Sequence, residues 1–166
     1  MTVGIKAPIR PVSRELFRAA AGQWATGVAV ITSVNSKFEP FGLTMTAVLS
    51  LSADPQQFLI CVDNNSTSLR AILDSRLFCI NYLAQNQDNV ARVFAGKSPD
   101  KFSRLQWSRL STGLPGVDGA LAHIECCVVS VQDGGDHRII VGEVLAVDVA
   151  DGEPLMYHRG TFRKLN

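Results

Sequence analysis

Along most of this chain hydrophobic and polar positions alternate with a period of two, or collect in apolar runs of strand length, between clusters of Gly, Pro, Asn, Asp and Ser. Near the N-terminus the period changes. Leu16, Phe17, Ala20, Ala21 and Trp24 recur at helical spacing, with Ser13 placed to cap the helix, Gly22 to weaken it and Gly27 to end it. Val28-Ala29-Val30-Ile31-Thr32 then reads as a buried strand, followed by a hairpin loop over 35–40. Residues 42–51 read as a second strand, with Thr44, Thr46, Ser50 and Ser52 on one face and Met45, Ala47, Leu49 and Leu51 on the other. Asp54-Pro55 is a turn signal before a third strand over 58–62. A polar run over 63–68 leads into a short helix with Leu69, Ile72 and Leu73 inward, and 78–83 is a fourth strand.

The second half begins with a helix over 88–94, where Val90, Val93 and Phe94 share a face and Gly96 stops the chain. Residues 97–119 read as an irregular loop. Two long runs, 120–132 and 138–149, are joined by Asp133-Gly134-Gly135-Asp136, a hairpin signature with glycines in the turn. A last short strand is expected near 154–157. Six or seven consecutive strands with three short helices predict a mainly β protein, an antiparallel barrel that is closed or nearly closed, rather than a parallel sheet. Residues 1–12 read as an extended N-terminal arm, and 13–166 as one domain.

Composition narrows the function classes. Of 166 residues, 46% are hydrophobic and 19% charged, which argues against disorder, and a formal charge of +1 leaves no basic footprint for nucleic acid or for an anionic membrane. The N-terminus does not read as a signal peptide, and no apolar run approaches bilayer length. Cys61, Cys79, Cys126 and Cys127 lie inside apolar runs without a CxxC pair, so buried reduced thiols and a cytoplasmic location are expected.

Four segments are candidates for chemistry, each with an ordinary structural reading beside it. Thr44, Thr46 and Ser50 could donate to a flat heteroaromatic ligand, or could simply be β formers on a half-exposed strand. Asn64-Asn65-Ser66-Thr67-Ser68 could seat a phosphate at a helix N-terminus, or only cap it. Phe94-Ala95-Gly96 with Asp100-Lys101-Phe102 could hold a phosphate or adenine, or form a solvated loop. His137, after the glycine turn, could reach a ligand at the barrel mouth or have no role. His123 and His158 lack metal-ligand spacing. The GxGxxG, Walker, HExxH and GxSxG patterns are absent.

The order of these segments is more specific than any one of them. Gly27-Val28-Ala29-Val30-Ile31-Thr32, Gly42-Leu43-Thr44-Met45-Thr46-Ala47, Ser50-Leu51-Ser52, Asp54-Pro55, Phe78-Cys79-Ile80-Asn81, Phe94-Ala95-Gly96, Asp100-Lys101-Phe102, Gly135-Asp136-His137 and Tyr157-His158-Arg159-Gly160 succeed one another along the chain. The chain resembles the flavin reductase-like family, short-chain NAD(P)H:flavin oxidoreductases that serve two-component flavin monooxygenases on a flavin-binding split barrel. The resemblance implies that Thr44, Met45, Thr46, Ala47 and Ser50 line the isoalloxazine of FMN or FAD. It also implies that Ser66, Thr67 and Ser68 with Lys101 hold the phosphate, and that Phe94, Ala95 and Phe102 flank the ligand. His137 would meet the nicotinamide of NADH or NADPH, orienting it rather than moving a proton. A homodimer with flavin sites near its interface and a monooxygenase partner are implied as well. A non-catalytic flavin carrier, or a flavin-bound reductase of another acceptor such as a corrinoid, is the alternative. No acidic clamp or arginine cluster in the sequence chooses between NADH and NADPH.

Overall fold

The computed structural model describes residues 11–165, so nearly all of the predicted arm over 1–12 lies outside the described residues. In chain order, helix α1 (Arg14–Ala21) is followed by strands β1 (Thr26–Gly27), β2 (Ala29–Val34), β3 (Pro40–Met45), β4 (Val48–Ala53) and β5 (Gln56–Asp63). Helix α2 (Thr67–Ser75), β6 (Leu77–Tyr82), helix α3 (Asp88–Ala95) and a 3-10 turn (Lys101–Arg104) come next. The chain continues through β7 (Trp107–Arg109), β8 (Pro115–Val117), β9 (Ala122–Gly134), β10 (His137–Val149), β11 (Met156–His158) and β12 (Thr161–Arg163).

Seven strands form one sheet in the order β3-β2-β6-β9-β10-β5-β4, all neighbours antiparallel. Its two edge strands, β3 and β4, are separated in sequence only by Thr46 and Ala47. Three Cα steps reach about 11 Å, so the edges must come almost together. The sheet therefore curls into the expected split barrel, open along one seam. Bulges in the β9–β10 pair near Gly142 and Ala146 supply part of the bend.

Ile31, Ile60, Phe78, Ile80, Cys126 and Ile140 fill the barrel, and Leu69 and Ile72 of α2 join them. β2 is buried at every position because its outer face is covered too. Val28 and Val30 pack there against Ala91 and Phe94 of α3, with Leu155 beside them. This double cover explains why 28–32 is a continuous apolar run rather than an alternating one. A buried polar network pins the 110–118 segment to the wall: Asn81 Nδ2 donates to Val30 O at 2.9 Å, and Asn81 Oδ1 accepts from the Val117 amide at 2.8 Å. Glu125, 5% exposed, accepts from Ser111 Oγ at 2.6 Å, from the Thr112 amide at 2.9 Å and from Thr112 Oγ1.

Several sequence expectations are corrected. α1 ends at Gly22, whose amide bonds Arg18 O at 2.9 Å, while Gly27 lies in β1, extended by its pairing with Met156. The single strand expected over 42–51 is two strands broken at Thr46 and Ala47, so the faces drawn for it do not run through. Leu73 is exposed, because the buried stripe of α2 is centred nearer Ser68 and Ile72. The loop over 97–119 contains the β7–β8 ribbon, and β12 extends the C-terminal hairpin. Of the four thiols, Cys79 and Cys126 are buried, but Cys61 and Cys127 are only partly so, being on the outward parity of their strands.

Candidate functional site

The seam organises the site. Two cavities meet at Thr46, with Val28 and Leu155 common to both. One, of about 780 Å3, is chiefly apolar, walled by Ala47, Val48, Leu49, Leu59, Cys61 and Tyr82. The other, of about 1080 Å3, is polar and cationic, with Thr44, Arg92, Tyr157, Phe162, Arg163 and Lys164 in its lining. The Arg92 guanidinium lies 5.0 Å from the centre of the Phe162 ring, and Tyr157 meets Phe162 edge-on at 5.5 Å. Arg92, paired with Asp88 of the same lining at 3.5 Å, thus shares a cavity with Arg163, a grouping that could not be read from the sequence, where the two arginines are far apart.

Thr44, Met45, Thr46 and Ala95 line the cationic cavity, and Thr46 and Ala47 the apolar one. Thr44 Oγ1 is engaged, donating to Ala91 O at 2.7 Å and so tying β3 to α3. Ser50 lies further down β4, opposite Phe58, and lines neither cavity. Phe94 is a core residue at 1% exposure, and Phe102 packs edge-on against it at 5.1 Å between centroids. Lys101 is half-buried, and its Nζ donates to Gly42 O at 3.1 Å and Phe94 O at 2.9 Å. Burial pushes its ammonium below the usual lysine range. Those bonds join Lys101 to the β3–α3 side; none links it to Ser66, Thr67 or Ser68.

A second group gathers where β5 and β10 end. Their ladder closes on the pair Asp63 and His137. The loop after Asp63 is a tight turn, with the Ser66 amide on Asp63 O at 2.9 Å and the Asn65 amide on Asp63 Oδ1 at 2.7 Å. Ser66 occupies the N-cap position of α2 without making a side-chain cap bond, Thr67 is exposed, and Ser68 is buried. Ala47 belongs to this end of the sheet, because its carbonyl accepts from the Cys61 amide at 3.2 Å, two residues before Asp63. Ser66 and Thr67 thus share this end of the sheet with His137 and Ala47, which flank β5 on opposite sides, while Ser68 is turned inward.

His137 opens β10 after Gly135 and Asp136, and Gly135 takes φ +73°, the conformation a two-residue hairpin reserves for glycine. Its Nδ1 lies 2.7 Å from Asp136 Oδ1, which leaves Nε2 without a hydrogen bond among the described residues. The His137 hydrogen bond and charge hold the Asp136 carboxyl below the usual carboxylate range, with Arg14 adding to them. His137 lines neither cavity and stands at the rim beside the Ser66 loop. Sequence reasoning missed Trp24 and Tyr82 in the apolar cavity and Arg92, Arg163 and Lys164 in the cationic one. Only the motif Tyr157-His158-Arg159-Gly160 pointed toward that last group.

An apolar slot beside a cationic, hydroxyl-bearing cavity fits a planar ring joined to phosphate, the build of both flavin and nicotinamide nucleotides. Comparison with known proteins agrees. Residues 21–166 match the model of the flavin reductase like domain. The chain is 37% identical over 147 residues to the reductase subunit HsaB of a flavin-dependent monooxygenase from Rhodococcus jostii, covering 88% of this chain and 75% of that protein. The crystal structure of nitrilotriacetate monooxygenase component B from Mycobacterium thermoresistibile superposes with a TM-score of 0.88 at 36% identity, covering 92% of this chain and 87% of that one. The NADH:FAD oxidoreductase SgcE6 of Streptomyces globisporus, solved with NAD and FAD fragments, superposes with a TM-score of 0.88 at 32% identity, covering 96% of this chain and 97% of that one. A split barrel with this paired cavity, matched over nearly its whole length, belongs to the flavin reductase like family.

Proposed function

We propose that the chain is an NAD(P)H:flavin oxidoreductase that reduces FMN or FAD in the cytoplasm and supplies the reduced flavin to a separate flavin-dependent monooxygenase. The observation that carries this is the meeting of an apolar and a cationic cavity at Thr46, on a barrel shared with flavin reductases. Bound together, the two cofactors supply hydride transfer, chemistry that asks no strong acid or base of the protein. The chain's own task is placement. Ala47 has no bulk to keep a ring from the main chain, and Val48, Leu49 and Leu59 exclude water from its faces. Arg92, Arg163 and Lys164 meet phosphate charge, and Ser66 and Thr67 present hydroxyls and amides at the start of α2. His137, with Nε2 free of hydrogen bonds among the described residues, would meet the nicotinamide at the rim and orient it, as the resemblance implies.

The protein acts as a homodimer. Leu145 and Val147 on β10 are 50% and 57% exposed and line neither cavity. Among the described residues helix α1 buries none of its positions, although Leu16 and Phe17 mark an apolar side. An eight-residue helix with nothing buried has little stability alone, and a second copy supplies the missing cover.

Anaerobic spectroscopy tests the activity. Flavin bound to the protein bleaches promptly on mixing with NADH or NADPH, and His137→Ala raises the nicotinamide KM about fivefold to tenfold, the worth of one hydrogen bond. A protein that reduces only with dithionite is a flavin carrier, which rejects the enzyme reading. A protein with no flavin affinity rejects both.

A further inference from the structure

We infer that Asn64 is a positioning residue, which fastens the turn carrying His137 to the loop carrying Ser66 and Thr67. The inference rests on the reading of His137 as the nicotinamide contact and goes beyond it, because the resemblance places Ser66, Thr67 and Ser68, and not Asn64, on the ligand. The β5–β10 ladder ends at the Asp63 and His137 pair, so Asn64 is the first residue past the ladder. It nevertheless makes two further bonds across the gap. Its amide donates to Asp136 O at 3.0 Å, and its side-chain Nδ2 donates to Gly135 O at 3.2 Å. Both residues of the two-residue loop are thereby held through their carbonyls by one asparagine.

The two sides of this clasp are otherwise unequal. The Asp63 side is internally braced by the Ser66 amide on Asp63 O and the Asn65 amide on Asp63 Oδ1. The Gly135 side is closed at its base by the Gly134–His137 pair alone: Gly135 has open space where a side chain would stand, and Asp136 is exposed. Asn64 therefore transfers the stiffness of the α2 loop to the turn. The turn in turn fixes His137, since Asp136 Oδ1 lies 2.7 Å from His137 Nδ1 and orients the ring. Moving Asp136 by rotation of an unpinned turn would swing the imidazole with it. The charged groups facing this turn are Asp136 itself, Arg14 of α1, and Arg138 paired with Asp133 across the hairpin. None of them bonds the Gly135 or Asp136 carbonyls, so none substitutes for Asn64.

The test compares Asn64→Ala and Asn64→Asp with His137→Ala. Asn64→Ala removes the Nδ2 donor, and Asn64→Asp replaces it with an anionic acceptor of the same size facing the Gly135 carbonyl, the stronger perturbation of the two. In ligand-free protein, 15N relaxation at Gly135, Asp136 and His137 is expected to show increased motion in both Asn64 variants, with the melting temperature nearly unchanged. Both variants are expected to weaken NAD+ binding, and to raise the NADH KM, by about threefold to tenfold, the scale of one exposed hydrogen bond, with kcat within about twofold of wild type. Asn64→Gln, which retains a donor on a longer arm, restores part of the loss. Unchanged turn motion and unchanged NAD+ affinity in the Asn64 variants, with His137→Ala still impaired, overturn the positioning role alone. If His137→Ala leaves NAD+ affinity unchanged, the nicotinamide reading falls and this role falls with it.

Discussion

Replacing Gly42 with alanine puts the packing beneath the cationic cavity under direct strain. A Cβ at position 42 would stand 2.5 Å from Phe94 Cε1 and 2.8 Å from Cδ1. Carbon atoms in contact settle at about 3.5–4.0 Å, so the ring must withdraw by roughly 1 Å. Little room exists for that. Phe94 is 1% exposed, packed among Val28, Val30, Leu83 and Ala91, with the Phe102 ring on its edge. Overpacking of this kind costs about 1–3 kcal/mol. At this chain length each kcal/mol lowers the melting temperature by about 2–4 °C, so a fall of roughly 2–12 °C is expected. The contact lies beside Lys101, whose Nζ bridges Gly42 O and Phe94 O. The assay is calorimetry and urea unfolding of ligand-free protein at one fixed concentration, because association shifts the midpoint. Adding Phe94→Leu to Gly42→Ala relieves the clash, and the double-mutant cycle should show a coupling of about 1 kcal/mol or more. A Gly42→Ala protein melting within about 1 °C of wild type, or strict additivity with Phe94→Leu, would refute the reasoning.

Three other outcomes follow from the geometry. Burial acts to raise the Glu125 carboxyl pKa, but the bonds from Ser111 and Thr112 outweigh it and hold the group below the usual carboxylate range. A depressed folded value contributes stability above the unfolded pKa and loses it as pH falls through the folded one. Glu125→Gln should therefore cost about 2 kcal/mol near neutrality, with the gap to wild type closing in acid; a gap independent of pH in urea titrations contradicts this. Burial pushes the Cys126 thiol up to about 12 and Cys79 higher still, so a thiol-disulfide reagent should titrate two of the four cysteines in native protein and four in denaturant. Reaction of Cys79 or Cys126 under native conditions, by peptide mapping, would disprove the packing. Leu145→Asp with Val147→Asp should halve the mass measured by light scattering, and an unchanged dimer excludes that face as the interface.

Much of the barrel was legible because its signals are local. The double-sided burial of β2 appears as an unbroken apolar run, and the two glycines before His137 announce the longest hairpin. The break at Thr46 and Ala47 was not legible. Thr, Met, Ala and Val continue a plausible alternation, and only the need to join opposite sheet edges interrupts it. The β7–β8 ribbon was hidden for a related reason: Pro115 and Gly116 are poor strand formers, held extended by pairing with Arg109 and Ser108. In the candidate site, the residues gathered at the rim follow the ladder and could be anticipated. The grouping of Arg92 with Arg163, and the use of Lys101 to tie two carbonyls, depend on tertiary contacts between distant segments.

The seam has a further consequence. Among the described residues β3 and β4 are the strands of the main sheet with one neighbour, so each has main-chain amides and carbonyls on its outer edge, of which Gly42 O is taken by Lys101 Nζ. Such a row can read the polar edge of a heterocycle as a strand reads its neighbour. Substitution at Ala47, Val48 or Leu49 changes the shape of the slot but, proline apart, removes none of these groups. Related barrels can in this way diverge in side chains around the ring while the vocabulary of recognition stays in the backbone. On the proposed function, specificity for one flavin over another is then more open to change among the side chains around Arg92 than along the seam itself.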